Sequence, residues 1–304
     1  MVNLSFGVSG GPHSVPIQEM LTFWSELEDW GADAISVGDH LVAPSFLPPD
    51  TPQYEAVALL TALAMVTERP RIGCLVFAAP FRNPGLLSKS LTTIDHLSGG
   101  RLDVGLGAGW DKAEFDAFGY FFGTPGTRLT QLEESARVLR RSFRHNPAPA
   151  PNTTSTSAGD NPQPRPIQHP LPIWIGGTGE RRTLRLVARY ADGWNANGVS
   201  PSEYRRLNGV LDDWCRTEGR PPNDIIRSVN LQFSIGADDA TPNRYANGTG
   251  ALSGTLDDAE QTLIQYIEAG ATRVNVLIRK GWDLGPLEAY FTEVVPRVKA
   301  TSGS

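Results

Sequence analysis

Residues 94–110 read IDHLSGGRLDVGLGAGW. The string gives the end of a helix, a turn at Gly99 and Gly100, an apolar strand over 102–106, and a main chain stripped of side chains at Gly105, Gly107 and Gly109. Alternate glycines at a strand end let a planar or phosphorylated ligand approach the backbone, or simply make space for packing inside a closed sheet. The residues alone fit both readings. A second stretch, WIGGTGERR at 174–182, repeats the order of apolar strand, glycines and helix start. Strand, turn and helix, twice over, point to parallel strands joined by crossover helices.

The same alternation extends in both directions. Strands are predicted over 4–8, 34–37, 71–78, 102–106, 173–176, 193–196, 226–235 and 273–277. Between them Ile17, Met20, Leu21, Trp24 and Leu27 recur at helical spacing up to Gly31, and helices are predicted over 54–67, 84–97, 128–143, 180–190, 201–218, 256–269 and 284–298. Eight strands and eight helices in 304 residues fit a closed (β/α)8 TIM barrel better than an open doubly wound sheet. The fold class is therefore α/β, with 1–304 expected to form a single domain. Residues 145–170 interrupt the rhythm, since seven prolines and the run Thr153 to Ser157 favour neither helix nor packed strand. They are expected to form an irregular Pro-rich insertion between the fourth and fifth units, partly disordered.

Composition narrows the functional classes. Hydrophobic residues at 40% and charged residues at 20% supply a large core, and a net charge of −6 gives no pull toward nucleic acid or an anionic membrane. Cys74 and Cys215 lack metal-ligand spacing and no two histidines are placed as helical ligands, so no metal site is expected. No apolar run nears the roughly 20 residues that span a bilayer. Residues 1–11 lack the basic start and apolar stretch of a secretion signal, which makes a cytoplasmic protein the expectation.

In a barrel the chemistry gathers at the C-terminal ends of the strands, and the polar and glycine-rich clusters fall at such ends. They are Asp39-His40, Ala78-Ala79, Gly107 to Trp110, Gly176 to Gly179, and Trp194-Asn195. Gly176, Gly177, Thr178 and Gly179 lead into a helix start whose free N–H groups suit a phosphate, with Arg181 or Arg182 adding charge; the other reading is a tight turn capped by Thr178. Neither glycine cluster ends in Gly-Lys-Ser/Thr, which disfavours a nucleoside triphosphate. His40 is the one histidine at a strand end beside an acid, placed to exchange a proton or merely to hydrogen-bond in the mouth. Phe77, Trp110 and Trp194 offer aromatic surface there, or core.

Taken together, GDH at 38–40, FRNPGLLSKSLTTIDHLSGGRLDVGLGAGW at 81–110 and PIWIGGTGERRTLRLVARYADGWNAN at 172–197 resemble the luciferase-like monooxygenase superfamily, and most of all its coenzyme F420-dependent oxidoreductases. The resemblance implies a TIM barrel with a deazaflavin or flavin at its mouth and hydride transfer to or from a small organic substrate. It assigns cofactor contact to Asp39 and His40, with His40 as the catalytic proton donor or acceptor. Val76, Phe77 and Ala78 match the end of strand three, where relatives often carry a non-prolyl cis peptide. Gly107, Ala108 and Gly109 match the glycine turn, Gly176, Gly177, Thr178 and Gly179 the phosphate-side loop, and Trp194 and Asn195 the next strand end. Members that oxidise sugar phosphates carry a glutamate directly after the glycine turn. This chain has Trp110 there, with Asp111 and Glu114 close by in sequence, so an apolar or aromatic substrate meeting Trp110, Phe121 and Phe122 is expected instead. The alternatives are an FMN-dependent monooxygenase fed by a partner reductase, and a flavin or deazaflavin carrier without turnover. A homodimer is common among relatives. Residues 237–254 either close over bound ligand or form a surface loop.

Overall fold

Parallel pairing closes on itself in the computed structural model, which describes residues 4–10, 15–44, 47–143, 163–235, 250–278 and 284–302. The strands are β1 (Ser5–Ser9), β2 (Ala34–Val37), β3 (Arg71–Ala78), β4 (Leu102–Gly107), β5 (Ile173–Gly176), β6 (Gly193–Asn197), β7 (Ile226–Ile235), β8 (Ala251–Gly254) and β9 (Arg273–Leu277). The order β6-β5-β4-β3-β2-β1-β9-β7 is completed by pairing of β6 with β7, which makes an eight-stranded TIM barrel. β8 is a further short strand that pairs with the last four residues of β7, from Gln232 to Ile235. Among the described residues no helix is long and apolar enough to cross a membrane.

Helices α1 (Ile17–Asp29), α2 (Ala56–Val66), α3 (Pro84–Leu97), α4 (Lys112–Ala117), α5 (Pro125–Ser142), α6 (Thr183–Tyr190), α7 (Pro201–Thr217) and α8 (Leu256–Glu268) surround the barrel. The chain ends in α9 (Leu284–Ala289), a π-helical turn (Tyr290–Val294) and α10 (Val295–Ser302). Their starts follow from capping chemistry. Asn83 accepts from the N–H groups of Gly85 and Leu86 ahead of Pro84, Ser200 caps Pro201, and Thr255 with Asp258 forms a reciprocal capping box. Outward strand residues such as Phe6, Ile35, Val104 and Val229 bury against the helices in one continuous core.

Four local expectations are corrected. α4 stands where a loop was expected, because Asp111 caps it by accepting from Ala113 N–H. α6 begins at Thr183 with Arg182 at the cap position and no side-chain cap, so Thr178 does not cap it. The last helix is broken by the π-helical turn. The end of the expected insertion is tied down: buried Asp95 accepts from the backbone N–H of Ile167 (2.6 Å) and Gln168 (3.1 Å), and His96 donates to the carbonyl of Arg165 (2.7 Å). Residues 145–162 of the insertion, and 237–249 of the segment that could close over ligand, lie outside the described residues.

The N-terminal end of the barrel is plugged by charge. Asp103 accepts from Arg71 through Nε (3.0 Å) and Nη2 (2.6 Å), and from Arg273 Nη1 (2.7 Å). Burial pushes the Asp103 carboxyl up, but the Arg273 charge and the Arg71 hydrogen bonds outweigh it and hold the group below the ordinary carboxylate range. The Arg273 guanidinium lies 4.5 Å from the Trp174 ring centroid. Gly193 lies against that ring on β6, where any Cβ would overlap it.

Candidate active site

β2 ends at Val37, and after Gly38 the chain places Asp39 against the end of β3 and His40 against α4. His40 Nδ1 donates to Oε1 of Glu114 (2.7 Å), while Oε2 of Glu114 accepts from the backbone N–H of Leu41 (3.0 Å). Glu114 is buried on α4, whose Phe115 packs under Phe81, Ala78 and Phe122. α4 therefore carries the carboxylate to an imidazole 74 residues earlier in the chain. The Trp110 indole meets the His40 ring edge to face, with centroids 6.2 Å apart.

Asp39 is engaged differently. Its Oδ2 accepts from Ala78 N–H (2.8 Å) and Arg82 Nη1 (2.6 Å), and its Oδ1 accepts from Arg82 Nη2 (2.8 Å). Arg82 also pairs with Glu55 at the N-cap of α2. Burial opposes the charge on Arg82, but the two carboxylates hold its pKa above the usual value. Asp39 thus fixes the backbone at the end of β3 and anchors Arg82.

β3 carries a non-prolyl cis peptide at Leu75-Val76, and its register with β4 shifts between Cys74 and Phe77. Val76 points into the barrel and lines the cavity. A Cβ at Gly107 would come 2.5 Å from Val76 Cγ2, and one at Gly176 would come 3.0 Å from Val76 Cγ1. A Cβ at Gly105 would overlap the carbonyl of Cys74 and press on Val76. At Gly107 and Gly176 the space a side chain would need is taken by Val76.

A cavity of about 160 Å³ opens at the C-terminal ends of the strands. One wall is apolar (Leu75, Val76, Leu277, Ile278), a second is polar and uncharged (Ser9, Asn197, Asn230, Gln232), and a third holds Asp39, His40, Trp110 and Glu114. Of the expected site residues, Asp39, His40, Val76, Ala78 and Gly109 line it. Phe77, Gly107, Ala108, Gly176, Gly177, Thr178, Gly179, Trp194 and Asn195 are not among its lining residues. Phe77 is buried in the core. Trp194 is fully buried, stacks on Tyr204 of α7 at 5.3 Å and donates to the carbonyl of Gly177 (2.8 Å). It is helix-side core rather than aromatic surface at the mouth. Glu114 as the partner of His40, Arg82, and the polar wall from β1, β6 and β7 escaped sequence reasoning. Only α4 had a local signal, in the spacing of Asp111 and Glu114 that marks a helix start. No cluster suited to a metal occurs among the described residues.

Comparison with known proteins agrees with this geometry. A family model described as luciferase-like monooxygenase matches residues 1–280. An uncharacterized protein of Mycobacterium tuberculosis is 33% identical over 135 residues, 44% of this chain and 47% of that protein, so the match spans about half of that relative's length. The F420-dependent glucose-6-phosphate dehydrogenase of Microbacterium testaceum is 27% identical, over 79% of this chain and 71% of that one. The FMNH2-dependent dimethylsulfone monooxygenase of Pseudomonas putida is 29% identical, over 49% and 40%. Among solved structures, the coenzyme F420-dependent tetrahydromethanopterin reductase of Methanopyrus kandleri superposes with a TM-score of 0.78 at 19% identity, covering 98% of this chain and 100% of that one, which establishes the likeness of fold.

Proposed function

The chain belongs to the luciferase-like monooxygenase family, and from that membership we propose that it is an F420-dependent oxidoreductase acting on an organic substrate of apolar or aromatic character. The observation that carries this reading is the His40–Glu114 hydrogen bond on the cavity wall. Moving a hydride to or from carbon leaves a proton to be moved at the neighbouring heteroatom, and an imidazole backed by a buried carboxylate is suited to that task. Glu114 fixes the tautomer with hydrogen on Nδ1, so Nε2 is the nitrogen that takes a proton from a substrate hydroxyl or returns it to a carbonyl. The carboxylate also stabilises the imidazolium formed on the way.

The lining fits a flat heterocycle. An apolar wall at Leu75, Val76 and Leu277 suits a ring face, and neighbouring amides and a hydroxyl suit its polar edge. When bound, F420 supplies two-electron hydride chemistry. Asp39, through Ala78 and Arg82, holds the wall against which the ring would rest. Gly176, Gly177, Thr178 and Gly179 are proposed to receive the phosphate side, supported by the contact of Gly176 with Val76 and by the α6 N-terminus beyond them. Gly107, Ala108, Trp194 and Asn195 then belong to the supporting frame. Trp110, half exposed at the rim, offers the substrate an apolar face.

FMN is the second reading, favoured by the likeness to the dimethylsulfone monooxygenase, and it brings a reductase as partner. A homodimer is supported by the exposed, uncharged Ala58 and Met65 on α2 and Leu86 and Leu97 on α3. Two free, buried cysteines suit a reducing, cytoplasmic setting. Titration of the protein with F420 and with FMN tests the assignment. Tight F420 and weak FMN are expected. The reverse selects the monooxygenase, binding without His40-dependent turnover leaves a carrier, and affinity for neither defeats all three.

A further inference from the structure

Barrel interiors are ordinarily filled by branched aliphatic side chains, yet the sector between β1, β6, β7 and β9 holds Ser9, Asn195, Ser228, Asn230 and Asn275, each at most 1% exposed. Strand register sets Asn195 beside Ser228 and Asn230 beside Asn275. Ser228 Oγ donates to Asn195 Oδ1 (2.9 Å) and accepts from Asn275 Nδ2 (3.1 Å). The same Nδ2 donates to Asn230 Oδ1 (3.0 Å), and Asn230 Nδ2 donates to Ser9 Oγ (3.3 Å). The column runs from mid-barrel up to two residues of the cavity wall, Asn230 and Ser9.

The donors all run one way. Because Asn275 occupies Asn230 Oδ1, the Asn230 amide has a fixed orientation and must give a hydrogen to Ser9. Ser9 Oγ therefore spends its acceptor capacity on Asn230, and its own O–H is the last donor of the chain. Among the described residues Ser9 Oγ donates to no protein acceptor, and Ser9 is one of the residues lining the cavity. A polar network inside a barrel is costly unless its members are satisfied. Within the column Asn195 Nδ2 also lacks a partner; an acceptor in the cavity satisfies the hydroxyl at the upper end.

We propose that Ser9 is a ligand-binding residue that donates a hydrogen bond to a neutral carbonyl or hydroxyl oxygen of the bound ligand, and that Asn230, Asn275 and Ser228 position it. This rests on the reading of the cavity as a deazaflavin or flavin site. The oxygen is either a ring carbonyl of the cofactor or the oxygen of the substrate.

The test uses the full chain with F420, FMN and cyclohexanol as probes. If the ring supplies the oxygen, Ser9→Ala weakens the cofactor that wild type binds by about tenfold, and Ser9→Thr, which keeps the hydroxyl, restores it. If the substrate supplies it, cofactor affinity stays within twofold of wild type, and in crystals of the cofactor complex soaked with cyclohexanol the alcohol oxygen lies within hydrogen-bond distance of Ser9 Oγ. Asn275→Ala, which does not touch the cavity, produces a weaker form of the same loss, about threefold; should it fail to fold, Ser9→Ala decides alone. Unchanged cofactor affinity together with a Ser9 hydroxyl that bonds neither cofactor nor alcohol in those soaked crystals overturns the proposal. Wild type binding neither cofactor instead overturns the reading of the site itself.

Discussion

The two ends of this barrel both bury charge and use it in opposite ways. At the N-terminal end Asp103 takes hydrogen bonds from two guanidinium groups, and Arg273 lies on Trp174, so the plug is committed to itself. At the C-terminal end Asp39 is similarly committed, to Ala78 and Arg82, but its neighbour His40 has the Glu114 carboxylate behind it and stands on a cavity wall. A buried ion pair is weak evidence for anything by itself. What separates scaffold from chemistry is whether the charged group lines a space where a reactant fits.

The sharpest way to break this contrast is His40→Asn. Loss of a positioned acid or base should lower kcat by about 10²–10⁴-fold, measured at saturating cofactor, with cofactor affinity within about threefold. A fall of less than tenfold would mean that the mouth is as inert as the plug. Next comes Asp103→Ala, which strands Arg273 without its carboxylate and should cost about 3–5 kcal/mol in urea unfolding, while the molecules that fold still bind cofactor. If binding is lost in step with stability, the two ends are not independent. Gly193→Ala drives a Cβ into the Trp174 ring, and overpacking of this kind costs about 1–3 kcal/mol; unchanged stability would show that the plug is loosely packed.

The smallest effect is the acid limb of stability. The Asp103 carboxyl is depressed in the folded protein, so its contribution is complete above its unfolded pKa of about 3.9 and is lost as pH falls through the lower folded value. Between pH 5 and pH 3 the urea midpoint of the wild type should therefore fall more steeply than that of Asp103→Asn. Parallel curves would show that the plug adds nothing through its charge.

Most of the frame was legible because strand-like and helix-like patterns alternate along the whole chain. The stretches 71–78, 226–235 and 273–277 coincide with β3, β7 and β9. The site was less so, for three physical reasons. Trp194 and Asn195 are consecutive on β6, and a strand sends consecutive side chains to opposite faces. Both could not line the interior, and it is Asn195 that does, hydrogen-bonded to Ser228. Glu114 comes from a six-residue helix too short to show periodicity, and its pairing with His40 spans two loops. Thr178 looked like a cap because glycines precede it, but the helix waits for Thr183. Tertiary pairing, unlike strand alternation, leaves little trace in local composition.

Val76 supplies one last consequence. Its two methyl groups fill the hollow left by missing side chains at positions 107 and 176, on two other strands. Three sites are thereby locked into a single evolutionary unit. Drift toward a bulkier residue at either glycine has to be accompanied by shrinkage at 76, and descendants should inherit these positions as a correlated set whose overall size sets how much room the barrel keeps for what it binds.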